Sequence, residues 1–349
     1  MSTTVFARLD SAGDVLITGP AVRAVAAHSN VTMLVGPRGR AAAELLPGVD
    51  DIVEWQAPWV DFDSPDLTSE HAFRLIAALR AIAPQRVYIS TSFHQSPLPL
   101  ALLCRMAEVP WIGAICDDYP GTLLDLRHHV TPDVPEPLRA LSLVCAGGCQ
   151  LPDSDDGALR VRHRELPEQL EGELGGGGYV VFHPGAAVPA RRPSAARSAA
   201  MVRALVGAGH RVLVTGSPGE RRLTAQVAGT AALDLGGRTT LGELSAVFRH
   251  ANAVVVPNTG PAHLAAAVGA PVVSLFAPVV PASQWSPYTR NVIRLGDQSA
   301  PCRGTRARTC PVRGHPCLDG ISDAEVLAAV TQLGECHDHS AHLGVGAGR

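Results

Sequence analysis

The chain has 349 residues, enough for two domains that each bury a core. Apolar residues make up 46% of it and charged residues 17%, a balance typical of a folded protein, and a formal net charge of -3 without a long basic run excludes nucleic acid as a partner. Lysine does not occur, which excludes pyridoxal Schiff-base chemistry and a Walker A phosphate loop.

The N-terminal residues lack the basic and apolar regions of a signal peptide, and no run of about 18 apolar residues follows them. We therefore expect a cytoplasmic protein without a transmembrane segment, for which peripheral contact with a membrane stays open. In a reducing compartment the eight cysteines are expected to be free thiols by default.

The first half of the chain alternates short β-branched runs with segments whose apolar residues recur at helical spacing. The predicted strands are 4–8, 31–35, 51–55, 86–90 and 111–115. The predicted helices between them are 14–28, 38–46, 67–82 and 98–108. Alternation of this kind favours a parallel sheet with helices on both faces.

From 131 to 178 the pattern gives way to Pro, Asp, Glu and Gly, which favours a domain boundary over a long surface loop. A second alternation follows, with predicted strands at 179–183, 211–215, 253–257, 272–276 and 292–295 and helices at 194–208, 220–228, 241–250 and 262–268. We predict an α/β protein with two doubly wound, Rossmann-like domains facing across a cleft. These span 1–170 and 171–335, the second ending in a helix over 323–333, and a flexible tail covers 336–349.

Ligands of open α/β sheets bind beyond the carboxyl ends of the strands, so the strand-to-helix loops are the candidate sites. After the first strand, Gly13 and Asp14 open a helix, where Asp14 is either a general base or an N-cap aspartate. In the turn 258–263 the amides around Gly260 and the early Pro261 suit either an anion such as a diphosphate or a capped helix without a ligand.

Two other loops of the second half carry polar groups. The turn 215–220 is either a close approach to a nucleotide, with Glu220 accepting from ribose hydroxyls, or a tight connection with a Glu near a helix start. Arg191 and Arg192 follow the strand 179–183 and either stabilise a leaving group or lie in a solvated basic loop.

A cysteine-rich loop near the C-terminus is a weaker candidate. Cys302, Cys310 and Cys317 are separated by spacings that match no common zinc site. Free or partly disulfide-linked thiols are therefore favoured over a structural metal.

Several of these motifs, in this order, resemble glycosyltransferase family 9, the family of the bacterial lipopolysaccharide heptosyltransferases, which has the two-domain GT-B fold. The motifs are Gly13-Asp14, His183-Pro184-Gly185, Thr215-Gly216-Ser217-Pro218-Gly219-Glu220, Thr239-Thr240-Leu241-Gly242-Glu243-Leu244 and Thr259-Gly260-Pro261-Ala262-His263. The resemblance implies an inverting transferase that moves a heptose from ADP-heptose to an acceptor hydroxyl without a metal ion or other cofactor.

The resemblance also implies roles for individual residues. Asp14 deprotonates the acceptor, the turn 259–263 holds the diphosphate, Glu220 binds the ribose, and the backbone near Thr239 binds the adenine. The residues implied to bind the donor are Gly13, His183, Gly185, Gly216, Glu220, Thr239, Asn258, Thr259, Gly260, Pro261 and His263.

The sequence departs from the family at two points. Asn258 stands where the family has Asp, which leaves the identity of the donor open, and Arg191 or Arg192 stands where it has Lys, which keeps the positive charge on the leaving group. The acceptor is a glycan, a glycolipid or a metabolite. The alternatives are a sugar-nucleotide epimerase or hydrolase of the same fold, and a non-catalytic protein that binds nucleotide sugars.

Overall fold

A computed structural model describes residues 2–60, 64–175 and 178–343. Internal contacts divide the chain into two compact units, Met1–Arg162 and His163–Arg349. Each unit is built on a six-stranded sheet whose strands all run parallel, with helices in the connections. The predicted α/β class with two Rossmann-like domains is therefore confirmed.

The sheet of the first unit has the order β3-β2-β1-β4-β5-β6. Its strands are β1 (Thr3–Arg8), β2 (Asn30–Val35), β3 (Asp51–Glu54), β4 (Arg86–Ile89), β5 (Ile112–Ile115) and β6 (Leu126–His128). The helices are α1 (Ala12–Leu16), α2 (Gly19–Ala26), α3 (Arg40–Ala43), α4 (Ser69–Ile82), α5 (Leu98–Met106) and α6 (Glu136–Ala146). Since the strand order reverses between β1 and β4, a ligand crevice is expected at their carboxyl ends.

The sheet of the second unit has the order β12-β11-β10-β7-β8-β9, so that its reversal lies between β7 and β10. Its strands are β7 (Tyr179–Phe182), β8 (Val212–Val214), β9 (Leu233–Asp234), β10 (Ala251–Pro257), β11 (Val272–Leu275) and β12 (Val292–Leu295). Its helices are α7 (Glu168–Leu174), α8 (Ala195–Gly207), α9 (Arg221–Ala228), α10 (Leu241–Arg249), α11 (Gly260–Ala267), α12 (Ala282–Trp285), α13 (Pro316–Asp319) and α14 (Asp323–Leu343). Val254, Val255 and Val256 of β10 are fully buried, because helices cover both faces of a parallel sheet.

The predicted helix 14–28 is wrong as a single element, because it forms α1 and α2 with a break between them. Pro20 lies in the first turn of α2, where its missing N–H costs no helical hydrogen bond, whereas in a continuous helix it would remove one. The Thr18 hydroxyl donates to the Val15 carbonyl at 2.7 Å and so bonds a carbonyl at the end of α1. The break limits α1 to Ala12–Leu16, a short helix whose first turn carries Asp14.

The Pro- and Gly-rich stretch from 131 to 178 contains α6 and α7, which the sequence pattern did not predict. Pro137 lies in the first turn of α6, where proline favours a helix rather than ending one. The helix α6 packs against α2 and belongs to the first unit. Residue 170, the predicted end of the first domain, lies within α7 of the second unit.

The last helix, α14, runs past its predicted end at 333 as far as Leu343. The predicted flexible tail, 336–349, therefore overlaps this helix, and its residues 344–349 lie outside the described residues. Across the described ranges, no helix combines the length and the apolar character needed to cross a bilayer.

Candidate active site

Asp14 lies in the first turn of α1, just beyond the carboxyl end of β1. One carboxylate oxygen, Oδ2, accepts from the Ser11 N–H at 3.2 Å and from the Ser11 hydroxyl at 2.6 Å, while Oδ1 accepts from Arg8 Nη2 at 3.0 Å. Burial acts to raise the pKa of Asp14, but the Arg8 guanidinium and the Ser11 hydrogen bonds outweigh it and hold the pKa below its ordinary value. The carboxylate is therefore ionised at neutral pH and fixed by three hydrogen bonds.

Of the two roles that the sequence left open for Asp14, the structure shows a capping role, played from the third position of α1 rather than from the N-cap, and the role of general base stays a prediction. Asp14 completes the capping box with Ser11, the N-cap residue of α1. Its side chain is nevertheless 19% exposed, so the carboxylate is within reach of a ligand. Gly13, which precedes it, is buried in the same turn.

Arg8 is the charged centre of this region, and its role was not predicted from the sequence. Its side chain is 1% exposed, at the last position of β1. It forms ion pairs with Asp10 at 2.9 Å and Asp14 at 3.0 Å, and it donates to the Ser92 hydroxyl at 2.9 Å. Since Ser90 and Ser92 follow β4, these contacts join the two strands between which the sheet order reverses.

A third carboxyl group comes from α6. Glu136 is 2% exposed, and Arg139 one turn later lies 3.6 Å from its Oε2. Burial raises the pKa of Glu136, against the lowering effect of Arg8 and Arg139. Glu136 and Ser92 were both missed, because the segment 131–178 was interpreted as a domain boundary and the loop after the predicted strand 86–90 was not considered, although its place at a strand's carboxyl end could have pointed to Ser92.

In the second unit, His183 follows β7 and is 4% exposed. Its Nδ1 lies 3.0 Å from the Thr215 hydroxyl after β8, and its backbone N–H donates to the Val255 carbonyl of β10. Burial lowers the pKa of His183 to about 4, so the ring is neutral at neutral pH. A neutral imidazole can bind a donor molecule through a hydrogen bond but supplies no charge to it.

The predicted turn 215–220 places Glu220 against Gly185. A Cβ atom on Gly185 would overlap the Glu220 carboxylate, so only glycine fits there without moving it. Glu220 Oε2 accepts from the Ser217 N–H and the Ser217 hydroxyl, both at 2.8 Å, which closes a capping box over the short helical turn Pro218–Glu220. A Cβ on Gly216 would lie 2.6 Å from the Thr224 methyl group, so this turn is also closely packed.

The turn after β10 leads into α11, with Thr259 as N-cap and Pro261 in the first turn. The Thr259 side chain makes no capping hydrogen bond. Asn258 is 3% exposed, and its Nδ2 has no hydrogen-bond partner among the described residues. A buried amide donor without an acceptor costs free energy, and the N–H groups at the start of α11 are of the kind that can bind an anion, so the predicted diphosphate role of this turn stays a prediction. His263 is 5% exposed on the same helix.

Arg191 ends the short helical turn Pro189–Arg191, and Arg192 follows it. The adjacent Ala190 is held on both sides, since its N–H donates to the Arg308 carbonyl at 2.9 Å and its carbonyl accepts from His315 Nε2 at 3.2 Å. The cysteine-rich segment, residues 301–320, therefore supports the arginine loop.

Thr239 lies beside the N-cap of α10, Thr240, which forms a capping box with Glu243.

The three cysteines of the cysteine-rich segment pack into the core of the second unit rather than facing solvent. Cys302 and Cys317 are buried and Cys310 is half-buried. Burial, with Cys302 and Cys310 close by, raises the pKa of Cys317 to about 12. In the described part of the chain these thiols are free, and no group of three His, Cys, Asp or Glu side chains is arranged to hold a metal ion.

The structure thus places the predicted residues in two groups. In the first unit Asp14, preceded by the buried Gly13, pairs with Arg8, which also pairs with Asp10. In the second unit the carboxyl ends of β7, β8 and β10 carry the predicted donor-binding residues that follow these strands, which are His183, Gly185, Gly216, Glu220, Asn258, Thr259, Gly260, Pro261 and His263.

Comparison with known proteins identifies the family. A family model described as glycosyltransferase family 9 (heptosyltransferase) matches residues 126–315. Lipopolysaccharide heptosyltransferase 3 of Escherichia coli is 33% identical over 179 residues, which are 49% of this chain and about half, 51%, of that protein.

Solved structures share the fold at lower identity. ADP-heptose lps heptosyltransferase II of E. coli is 18% identical, with a TM-score of 0.74 over 97% of this chain and 100% of that one. A family 9 glycosyltransferase from Veillonella parvula DSM 2008 is 17% identical, with a TM-score of 0.77 over 95% and 97% of the two chains. The fold is therefore GT-B, and the chain belongs to glycosyltransferase family 9.

Proposed function

We propose that this protein is an inverting, metal-independent heptosyltransferase, which moves heptose from ADP-heptose to a hydroxyl of a glycan, a glycolipid or a metabolite. The observation that carries the proposal is the ionised Asp14 carboxylate, fixed at the carboxyl end of β1 by Arg8 and Ser11. We place the reaction in the cytoplasm. If the acceptor is a glycolipid, the protein contacts the membrane surface that holds it.

In the proposed step, Asp14 accepts the proton of the acceptor hydroxyl as the hydroxyl oxygen attacks the anomeric carbon of the donor. The bond between that carbon and the diphosphate oxygen breaks, and its electron pair leaves with ADP. Because attack and departure occur on opposite sides of the carbon, the configuration inverts. The low pKa of Asp14 makes it a weak base, so its contribution depends on position.

The leaving diphosphate is assigned to the second unit. The first N–H groups of α11 and the buried Nδ2 of Asn258 are donors for its oxygens, and the predicted role of Arg191 or Arg192 is to balance its charge. Glu220 is assigned to the ribose hydroxyls. Adenine specificity and heptose are proposed by analogy, since a related E. coli heptosyltransferase of the same fold, 17% identical with a TM-score of 0.67, was solved with ADP-2-deoxy-2-fluoro heptose.

The first test is thermal stabilisation of the purified protein by ADP, UDP, GDP and TDP, because a ligand that binds only the folded state raises the melting temperature. We expect ADP to give the largest shift. A larger shift with another nucleotide contradicts the proposed donor but not the family. No shift with any of them contradicts the proposed donor site.

The second test is transfer from ADP-heptose to a panel of acceptors, with the anomeric configuration of the product read by NMR and an EDTA-treated sample alongside. We expect Asp14→Asn to lower kcat by about 10²-fold or more. The matched control is Asp155→Asn, which removes a carboxylate of similar burial that pairs with Arg23 at 2.6 Å. Release of free heptose or an isomerised donor without acceptor indicates a hydrolase or an epimerase instead, and binding without turnover indicates a binding protein.

A further inference from the structure

Arg8 pairs with two carboxylates at once, through different nitrogens. Its Nε lies 2.9 Å from Asp10 Oδ2, and its Nη2 lies 3.0 Å from Asp14 Oδ1. The side chains of Asp10 and Asp14 are 10% and 19% exposed, whereas that of Arg8 is 1% exposed. One buried cation is therefore shared between the proposed base and a second carboxylate.

Asp10 is itself held in a closed ring of polar contacts. Gln95 Nε2 donates to Asp10 Oδ1 at 2.6 Å, and Gln95 Oε1 accepts from the Ser92 N–H at 3.3 Å. The Ser92 hydroxyl accepts from Arg8 Nη2 at 2.9 Å, and the ion pair between Arg8 Nε and Asp10 closes the ring through charge, without the angle of a hydrogen bond. Asp10 thus fixes the guanidinium on one side, and the same guanidinium fixes Asp14 on the other.

The remaining charged groups near the pair come from two other elements. Arg38, after β2, acts on Asp10, while Glu136 and Arg139 belong to α6. Burial raises the pKa of the Asp10 carboxyl and Asp14 adds to that rise, although Arg8 acts against it. Without the Asp10 charge, Arg8 would neutralise Asp14 alone and make it a still weaker base.

We propose that Asp10 is a positioning residue for the transfer reaction, which clamps Arg8 and takes up part of its positive charge so that Asp14 stays in place as a usable proton acceptor. This inference rests on the proposed function of Asp14. Asp10 acts through Arg8 and does not need to touch the substrate. A purely structural role for the ring would stabilise the fold but would leave the basicity of Asp14 unchanged.

The test is the pH dependence of kcat/KM for the wild type, Asp10→Asn and Asp155→Asn. In Asp10→Asn we expect the acid limb of the profile of kcat/KM against pH to move to lower pH by about half a unit or more. We also expect the plateau value of kcat/KM to fall at least tenfold. Asp155→Asn breaks a comparable ion pair with Arg23, and we expect it to leave both the pH of the acid limb and the plateau value of kcat/KM as in the wild type. An unmoved limb in Asp10→Asn overturns the proposal.

Titration of the aspartate carboxyl carbons by ¹³C NMR tests the coupling between Asp10 and Asp14 without an activity assay. It uses the wild type, so it remains possible if Asp10→Asn does not fold. The Asp14 resonance is identified as the one lost in Asp14→Asn. In the wild type we expect it to show a second inflection at higher pH, where Asp10 ionises. A single inflection at an ordinary aspartate pKa overturns the inference. If the wild type transfers no sugar, the proposed function fails, whereas this titration still tests the coupling.

Discussion

Replacing Gly185 by Ala tests whether the Glu220 carboxylate contacts the donor. The new Cβ would overlap that carboxylate, which lies at the end of a flexible side chain, so the carboxylate is expected to move rather than the backbone. Moving it breaks the two hydrogen bonds from Ser217, both 2.8 Å long. Since both bonds are exposed to solvent, we expect a loss of only about 1 kcal/mol in the free energy of unfolding.

The expected effect on binding is larger. A hydrogen bond to a charged group contributes about 1.5–3 kcal/mol, which corresponds to roughly 10- to 100-fold in Kd. We therefore expect Gly185→Ala to weaken ADP binding, measured by titration calorimetry, at least about tenfold. Glu220→Gln should weaken it in the same direction without adding a methyl group.

The matched control for this substitution is Gly207→Ala. Gly207 is the last residue of α8, and a Cβ there would meet nothing within 4 Å, so wild-type stability and ADP affinity are expected. If Gly185→Ala binds ADP as tightly as Gly207→Ala does, the Glu220 carboxylate does not contact the nucleotide. The assignment of the ribose to this turn would then be refuted.

Three further predictions concern buried charges and thiols. Arg8→Met leaves buried carboxylates without their cation and should lower the free energy of unfolding by about 3–5 kcal/mol in urea titrations, and a loss below 1 kcal/mol would contradict the ion-pair network. The pKa of His183 is about 4 in the folded protein against an ordinary 6.5, so as the pH falls from 6.5 towards 4 the unfolded state binds a proton that the folded state does not. Stability should fall by up to ~1.4 kcal/mol per pH unit in that window, a slope that His183→Asn should reduce. Burial raises the pKa of Cys317 to about 12, so alkylation of this thiol at pH 8, followed by mass spectrometry, should be far slower in the folded protein than in urea, and equal rates would contradict its burial.

Much of the fold could be predicted from the sequence because it depends on local patterns. Continuous valine-rich runs such as 254–256 mark strands covered on both faces, and helical spacing between them sets the alternating order of a parallel sheet. The loops at the carboxyl ends of those strands follow from that order, which is why Asp14 and Asn258 were found as candidates, whereas His183 was named by the family resemblance. The role of each as a ligand contact stays a prediction.

Only the tertiary structure decided which side chains surround these candidates. From the sequence, Arg8 is only the last residue of a predicted apolar strand. No local sequence pattern indicates that Asp10, Asp14 and Ser92 all contact its guanidinium. Ser92 is 84 residues from Arg8 in the chain, and even for the nearby Asp10 and Asp14 the ionisation depends on burial and on charges brought close by folding. The helix α6, in the Pro-rich stretch 131–178, likewise could not be predicted from local sequence. Tertiary packing against α2 stabilises it as a helix, whereas the sequence pattern alone predicts a linker.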